Sequence, residues 1–194
     1  MTSTTIGGLR CHDWGGAPGA PALLLLHGFS DSGRCWVDAV DHWTTDFHVL
    51  TVDARGHGQS ERFTPSQLAS GPQAVMVEDI VQLLDSWPAL AGRPVALVGH
   101  SMGGGVACEV ALARPDRVAA VVLEDPALGP SDGTTAGHEG AVRREWGAAQ
   151  VAQLTRYAVD PAFATAEVAQ FVRTSPAVEA HEWLAAKHQT DLDM

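Results

Sequence analysis

The sequence predicts an α/β protein with a mostly parallel sheet flanked by helices, followed by a helical cap. Three observations support this fold class. The chain has 194 residues, of which 45% are hydrophobic, and this is enough for one core of ordinary size. Four apolar runs are continuous rather than alternating, which is typical of strands buried on both faces. Helical patterns separate these runs, as in βαβ units with right-handed crossovers.

Each predicted strand is an apolar run that ends at polar or turn-forming residues. The four runs cover residues 22–26, 47–52, 95–98 and 118–123. A weaker hairpin is expected over residues 5–13, around a Gly-Gly pair. Apolar side chains at helical spacing predict one helix before the third run and one after it: Met76, Ile80, Leu83, Leu84 and Trp87, then Val106, Val110 and Ala113.

The pattern changes after the fourth run. Residues 126–139 are rich in Gly, Pro, Ser and Thr, and they predict a loop. Three helical segments follow without another strand. Asp160-Pro161 and Ser175-Pro176 would open the second and third of these helices, each as an N-cap followed by proline. We therefore expect a core over residues 1–126 and a helical cap over residues 127–194.

Charge and cysteine content argue against several classes of function. The net charge is -11 at pH 7 without a basic cluster, so neither nucleic acid nor a membrane is an expected partner. The first residues lack a signal-peptide pattern and no apolar run is long enough for a membrane span, so we expect a cytoplasmic protein. Cys11, Cys35 and Cys108 lie far apart without metal-binding spacing. We expect them to be core thiols, and we expect no metal and no organic cofactor.

The strongest functional motif is Gly99-His100-Ser101-Met102-Gly103, a G-x-S-x-G pattern between a predicted strand and a predicted helix. A sharp turn there would force Ser101 to a positive φ and expose its hydroxyl at the carboxyl end of the sheet. Gly99 and Gly103 would let the strand and the helix approach without Cβ clashes. The Met102 N–H, in the first turn of the helix, would favour a developing oxyanion. Ser101 is therefore the candidate nucleophile.

Two further motifs follow buried strands. After the first strand, His27-Gly28-Phe29 would supply the Phe29 N–H as the second oxyanion donor, and an ordinary βα turn is the alternative. His27 is interpreted as a hydrogen-bonded anchor of this loop. Residues 53–60, DARGHGQS, predict an ordered turn with many side-chain to backbone hydrogen bonds. His57 precedes the nucleophile in the chain, which argues against it as the catalytic base.

The motifs HGF, DARGHGQS and GHSMGG, in this order and spacing, resemble the α/β-hydrolase superfamily. The resemblance is to its capped esterase, lactonase and C–C hydrolase-like members, and it covers about residues 5–126. It implies that the helical cap is the segment inserted after the sixth strand. The serine at position 101 argues against epoxide hydrolases and haloalkane dehalogenases, which place an aspartate there. The resemblance also implies a triad in the order Ser, then Asp or Glu, then His.

The chain departs from that pattern after Ser101. The later histidines are His138, His181 and His188; all three fall in the cap or its linker, and none follows a strand. We interpret them as surface or cap-packing residues, so the chain is expected to stop before the catalytic histidine. Asp125 is the one candidate for the triad acid. The alternative, which the local sequence favours, is an Asp-Pro turn that ends the strand.

We expect a carboxylic ester hydrolase in which Ser101 forms an acyl-enzyme with a small, mostly apolar substrate. The sequence does not decide between a carboxylester, a lactone and a thioester. Because it offers no base to activate Ser101, the chain as given is expected to be nearly inactive. The alternative is a catalytically silent short protein of this fold that binds or associates with a partner chain.

The predicted strand over residues 118–123 bears on association. It is apolar on both faces and has no lysine, proline or inward charge to guard an edge. If only the helical cap follows it, one row of its N–H and C=O groups lacks a β partner. We therefore expect self-association through this strand or poor solubility, unless another polypeptide or a further part of the chain covers it.

Overall fold

The computed structural model describes residues 1–128, 138–171, 173 and 177–190. In this part of the chain six strands form one sheet: β1 (Thr2–Ile6), β2 (Leu9–Gly15), β3 (Ala22–Leu26), β4 (His48–Val52), β5 (Val95–His100) and β6 (Val118–Glu124). The helices are α1 (Val37–Trp43), α2 (Pro65–Ser70), α3 (Pro72–Ser86), α4 (Met102–Ala113), α5 (His138–Val159), α6 (Pro161–Phe171) and α7 (Ala177–His188). All four predicted strands and the N-terminal hairpin are present.

The sheet is mixed, and its parallel part carries the candidate site. Its strand order is β1-β2-β4-β3-β5-β6. β1 pairs antiparallel with β2, and β2 pairs antiparallel with β4. The β3–β4, β3–β5 and β5–β6 pairs are all parallel. The predicted fold class, a mostly parallel sheet flanked by helices, is confirmed.

Burial on both faces of β3 explains its continuous apolar run. Leu24 and Leu26 pack in one cluster with side chains of α3 and α4, whereas Leu23 and Leu25 pack on the opposite face with α1. Each fully buried leucine contributes roughly 1.5–3 kcal/mol relative to an exposed one. The centre of the sheet is therefore a rigid base for the loops that leave the carboxyl ends of its strands.

The expectation that the fourth run is buried on both faces is wrong. In β6, Val122 is 58% exposed and Leu123 is 38% exposed. The physical reason is position: β6 lies at the edge of the sheet, and β5 is its only strand partner among the described residues. A continuous apolar run predicts a strand that could be buried on both faces, but whether it is buried depends on the elements that pack beside it.

Helices α5, α6 and α7 pack on one another and form what we call the α5–α7 lobe. Leu154, Tyr157 and Ala164 are its buried centre, and Trp183 packs against them. Phe29, from the loop after β3, packs against the same cluster and so links the lobe to the core. In the described part of the chain, no helix is long and apolar enough to cross a membrane.

The ends of the lobe helices agree in part with the sequence pattern. The Phe163 N–H donates to Asp160 Oδ1 at 3.0 Å, so the predicted N-cap of α6 is confirmed. Helix α5 begins at His138, inside the predicted loop. Most of that loop and the predicted helix start at Ser175-Pro176 lie outside the described residues. The division into a core and a helical cap at residues 126 and 127 stays a prediction.

Candidate active site

Ser101 occupies a strained turn between β5 and α4. Its φ is 49° and its ψ is -112°, so the predicted positive φ is confirmed. A non-glycine residue in such a conformation costs on the order of 1–3 kcal/mol, and such strain clusters at functional sites. The two glycines are needed for the same turn. A Cβ at Gly99 would lie 2.7 Å from the Gly104 Cα, and a Cβ at Gly103 would lie 2.6 Å from the His27 carbonyl oxygen.

Hydrogen bonds tie this turn to the neighbouring strands. The Ser101 N–H donates to the Glu124 carbonyl at 2.9 Å, and the Ala127 N–H donates to the Ser101 carbonyl at 2.8 Å. The Gly103 N–H donates to the His27 carbonyl at 3.1 Å. The turn is therefore held between the ends of β3 and β6.

The two predicted oxyanion donors, the N–H groups of Phe29 and Met102, share one property. Within the described residues, neither N–H has a hydrogen-bond acceptor. Met102 is the first residue of α4, where N–H groups lack partners within the helix and carry the positive end of the helix dipole. Both groups are thus free to bind an oxygen of a substrate, and their assignment as the oxyanion hole stays a prediction.

Two buried histidines hold the loop that carries Phe29. The Ala54 N–H donates to His27 Nε2 at 2.9 Å, so the His27 proton lies on Nδ1, which donates to the Gly28 carbonyl at 2.7 Å. His57 Nε2 lies 2.5 Å from the Phe29 carbonyl oxygen, and we assign its proton to this hydrogen bond. The interpretation of His27 as an anchor is confirmed, and His57 has the same kind of role.

The turn over residues 53–60 is scaffold, as its sequence predicts. Asp53 Oδ1 accepts the Gly33 N–H at 2.8 Å, and Asp53 Oδ2 accepts the Gln59 N–H at 2.8 Å. The Ser60 hydroxyl donates to the Asp53 carbonyl at 2.6 Å. Arg55 forms two hydrogen bonds with Asp79 on α3. These bonds fix the loop after β4 against the loop after β3.

Burial gives His57 a pH-dependent effect on stability. Desolvation, followed by the nearby His27, lowers the pKa of His57 from 6.5 to about 4. Between these values the unfolded chain binds a proton that the folded chain does not, so the stability that neutral His57 contributes is fully present above pH 6.5 and is lost as the pH falls towards 4. We expect His57 to account for a loss of about 3 kcal/mol over this interval. Urea unfolding at pH 7 and pH 4.5 measures it, and His57→Gln should show a weaker dependence. An equal dependence in the variant would contradict this role.

The structure describes no base beside the nucleophile. Among the described residues, no side chain forms a hydrogen bond with Ser101 Oγ. His188 is exposed and lines a separate pocket within the α5–α7 lobe. The side chains of His138 and His181 lie outside the described residues. The expected lack of a catalytic histidine therefore stays a prediction.

Asp125, the predicted triad acid, lies in the turn after β6. Its φ is 42°, its side chain is exposed, and it forms no hydrogen bond with a described residue. The turn itself is ordered, because the carbonyl of Glu124 and the N–H of Ala127 both bind the Ser101 backbone. This geometry agrees with an Asp-Pro turn that ends the strand, and the role of Asp125 as acid stays a prediction.

A pocket of about 380 Å³ lies beside the turn, at the carboxyl edge of the parallel strands. Ligands of open α/β sheets bind at this edge. The walls combine the loop after β3, the ends of β5 and β6, and the α5–α7 lobe: Asp31, Cys35, Trp36, His100, Glu124, Phe171, Trp183 and Lys187. Sequence patterns do not predict the contributions of Asp31 and Lys187. No group of three His, Cys, Asp or Glu side chains in the described ranges could hold a metal ion.

The parallel sheet and the strained serine between β5 and α4 define a protein of the α/β-hydrolase class. Residues 21–179 match the model of the family described as "alpha/beta hydrolase fold", and the chain belongs to this family.

Named relatives agree with this class. The chain is 38% identical over 112 residues to Lipase LipV of Mycobacterium tuberculosis. The aligned segment covers 57% of this chain and 40% of that protein. It is 34% identical over 118 residues to Monoacylglycerol lipase ABHD6 of Homo sapiens. This aligned segment covers 60% of this chain and 34% of that protein. The chain thus spans less than half the length of these relatives.

Solved structures show the same fold. The structure of the enol-lactonase from Burkholderia xenovorans LB400 superposes with a TM-score of 0.65 at 22% identity, covering 99% of this chain and 70% of that chain. At this level of identity the likeness concerns the fold and not the reaction.

Proposed function

We propose that this chain carries the nucleophile half of a serine hydrolase that cleaves an ester-like bond. Ser101 Oγ attacks the carbonyl carbon and forms an acyl-enzyme, and the leaving alcohol or thiol takes the serine proton. Water then cleaves the acyl-enzyme, which releases the acid and restores the hydroxyl. The observation that carries this proposal is the strained backbone of Ser101 at the start of α4, because a protein that only binds ligands has no use for such a turn.

The free N–H groups of Phe29 and Met102 support the proposal. Preorganised donors of this kind stabilise the charge that develops on the carbonyl oxygen in the transition state, and loss of one donor costs about 10²–10³ in rate. Neither group has another acceptor in the described part of the chain. They are the only charge-stabilising groups that the proposal requires.

The pocket lined by His100, the residue before Ser101, favours a small substrate, although Ser101, Phe29 and Met102 are not among its lining residues. Its volume of about 380 Å³ lies in the range of small-molecule sites, which is about 300–1,000 Å³. Trp36, Phe171 and Trp183 give it apolar walls, with the rings of Phe171 and Trp183 stacked at 4.9 Å. Asp31 and Glu124 add polar groups. The proposed substrate is therefore a small, mostly apolar carboxylester, lactone or thioester with at least one polar group.

Activation of the serine is the step that the described residues do not supply. A neutral serine hydroxyl is a weak nucleophile until a base removes its proton. No described side chain forms a hydrogen bond with Ser101 Oγ. We therefore propose that efficient catalysis requires a histidine base beside Ser101, oriented by Asp125 or by another acid.

We expect slow hydrolysis of p-nitrophenyl acetate by the 194-residue chain. A triad enzyme without its base retains only the contribution of binding and the oxyanion hole, roughly 10³–10⁴ over water. The measurement is nitrophenolate release by the wild-type chain minus that by Ser101→Ala. Equal rates in the two proteins would remove Ser101 as the nucleophile. A Ser101-dependent rate far above this range would reveal a base within the chain, and His188→Ala would be the first variant to test.

One observation favours a second candidate function. The exposed apolar strand β6 suits a catalytically silent protein that associates with a partner chain. Such a protein would associate through β6 and show no difference between the wild-type chain and Ser101→Ala in the hydrolysis assay.

A further inference from the structure

Lys187 is the only lysine of the chain, and most of its side chain is buried. It lies on α7, and its side chain is 8% exposed. Its ammonium group donates to the Ser30 carbonyl at 2.7 Å and to Ser30 Oγ at 2.8 Å, and it lies 3.4 Å from Asp31 Oδ1. These three acceptors match the three donors of an ammonium group. The contact joins residues 157 positions apart, from the α5–α7 lobe to the loop after β3.

The peptide geometry of this loop links Lys187 to the proposed oxyanion donor. Each peptide unit is planar, with its C=O and the following N–H pointing in opposite directions. Lys187 holds the Ser30 carbonyl, and this fixes the plane of the Asp31 N–H. That N–H donates to the Gly28 carbonyl at 3.1 Å. The Gly28 carbonyl shares its peptide plane with the Phe29 N–H, so the orientation of Phe29 N–H depends on both bonds.

Buried donors thus hold three consecutive carbonyl groups of the loop. His27 Nδ1 donates to Gly28, His57 Nε2 to Phe29 and Lys187 Nζ to Ser30. The two histidines come from beneath the loop, within the core, whereas Lys187 comes from the lobe. Lys187 is therefore the one of these three donors whose position depends on α7.

We propose that Lys187 is a positioning residue, which holds the loop after β3 so that the Phe29 N–H points to the oxyanion. This inference rests on the proposed function of Ser101. It makes the reactivity of Ser101 dependent on docking of α7, although α7 itself contributes no group to the oxyanion.

The same helix provides a matched control. Glu182 on α7 forms an ion pair with Arg34 at 2.7 Å, so it also joins α7 to the segment after β3. It is not one of the three donors described above, because a carboxylate side chain only accepts hydrogen bonds. Glu182→Gln therefore weakens the attachment of α7 while it leaves the three carbonyl contacts in place.

The first test is the reaction of Ser101 with a fluorophosphonate ester, in which Ser101 Oγ forms a bond to phosphorus and fluoride leaves. In Lys187→Met, which keeps the length of the side chain without its donors, we expect the maximal labelling rate to fall about a hundredfold, the cost of a group misplaced by about 1 Å and the lower end of the cost of a lost oxyanion donor. The concentration of reagent at half-maximal rate should not change. Glu182→Gln should change neither value. An unchanged maximal rate in folded Lys187→Met, or an equal loss in Glu182→Gln, would overturn the proposal.

A second readout does not depend on labelling. Amide hydrogen exchange of Asp31 should accelerate in Lys187→Met and not in Glu182→Gln. If the wild-type chain is not labelled on Ser101, the proposed function fails. Amide exchange at Asp31 would still test whether Lys187 holds the loop after β3. If Lys187→Met does not fold, Lys187→Gln, whose shorter side chain retains two N–H donors without the charge, should give an intermediate labelling rate and intermediate exchange. Wild-type values in folded Lys187→Gln for both readouts would overturn the proposal.

Discussion

Gly103→Ala is expected to destabilise the folded chain by at least about 3 kcal/mol, the upper end of the range for overpacking. The added Cβ would lie 2.6 Å from the His27 carbonyl oxygen and closer still to the carbonyl of Leu26. Both contacts are with backbone, so no side-chain rotation relieves them. A typical domain has only about 5–15 kcal/mol of stability, so the variant should lose a large part of it.

Urea unfolding of Gly103→Ala and of a control, Gly19→Ala, measures this effect. Gly19 also has a positive φ, 80°, but a Cβ there would meet no atom within 4 Å. The control should therefore show only the smaller cost of the backbone conformation, about 1 kcal/mol. Equal losses in the two variants would mean that the close approach of α4 to the end of β3 is not required.

The second large effect concerns the state of association. The apolar edge strand β6 is expected to drive self-association of the 194-residue chain. Val122 and Leu123 are exposed on β6, and Leu112, on the neighbouring helix α4, is 81% exposed. An unguarded edge strand presents unpaired N–H and C=O groups that another copy can bind, and a two-fold axis would let the same strand serve in both copies.

Light scattering over a range of protein concentration measures this association. Val122→Lys should shift the chain towards the monomer, because it places a charge within the exposed apolar strand. The same substitution at Val159, which is 73% exposed on α5, is the matched control and should change nothing. A wild-type chain that stays monomeric and melts cooperatively would contradict the prediction and show that β6 is protected.

The strands could be predicted from the sequence because each one is a run of consecutive apolar residues. In β3, four leucines alternate between two packed faces, and this produces an apolar run that no solvated strand would have. Helices α1 and α2 have seven and six residues, too few for a clear helical period, and the sequence does not predict them. The exposure of β6 could not be predicted from its own residues, because it depends on the neighbours of the strand.

Part of the candidate site could also be predicted from the sequence, and part of it could not. The turn at Ser101 could be predicted because local backbone geometry demands its glycines, and the sequence shows them. The contact of Lys187 with Ser30 could not, because no local pattern encodes a hydrogen bond across 157 positions. The presence of a single lysine in the whole chain is the one signal that could have directed attention to it.

The measurement that tests the account most directly is peptide mapping by mass spectrometry after reaction with a fluorophosphonate ester. The account predicts one phosphonyl group per chain, on Ser101, and none on Ser101→Ala. The competing serine is Ser3, whose Oγ lies 2.8 Å from His12 Nδ1, while His12 Nε2 lies 3.3 Å from Asp53 Oδ1. Labelling of Ser3 in preference to Ser101, or labelling of Ser101 no faster in the folded chain than in the urea-unfolded chain, would contradict the assignment of Ser101 as the nucleophile.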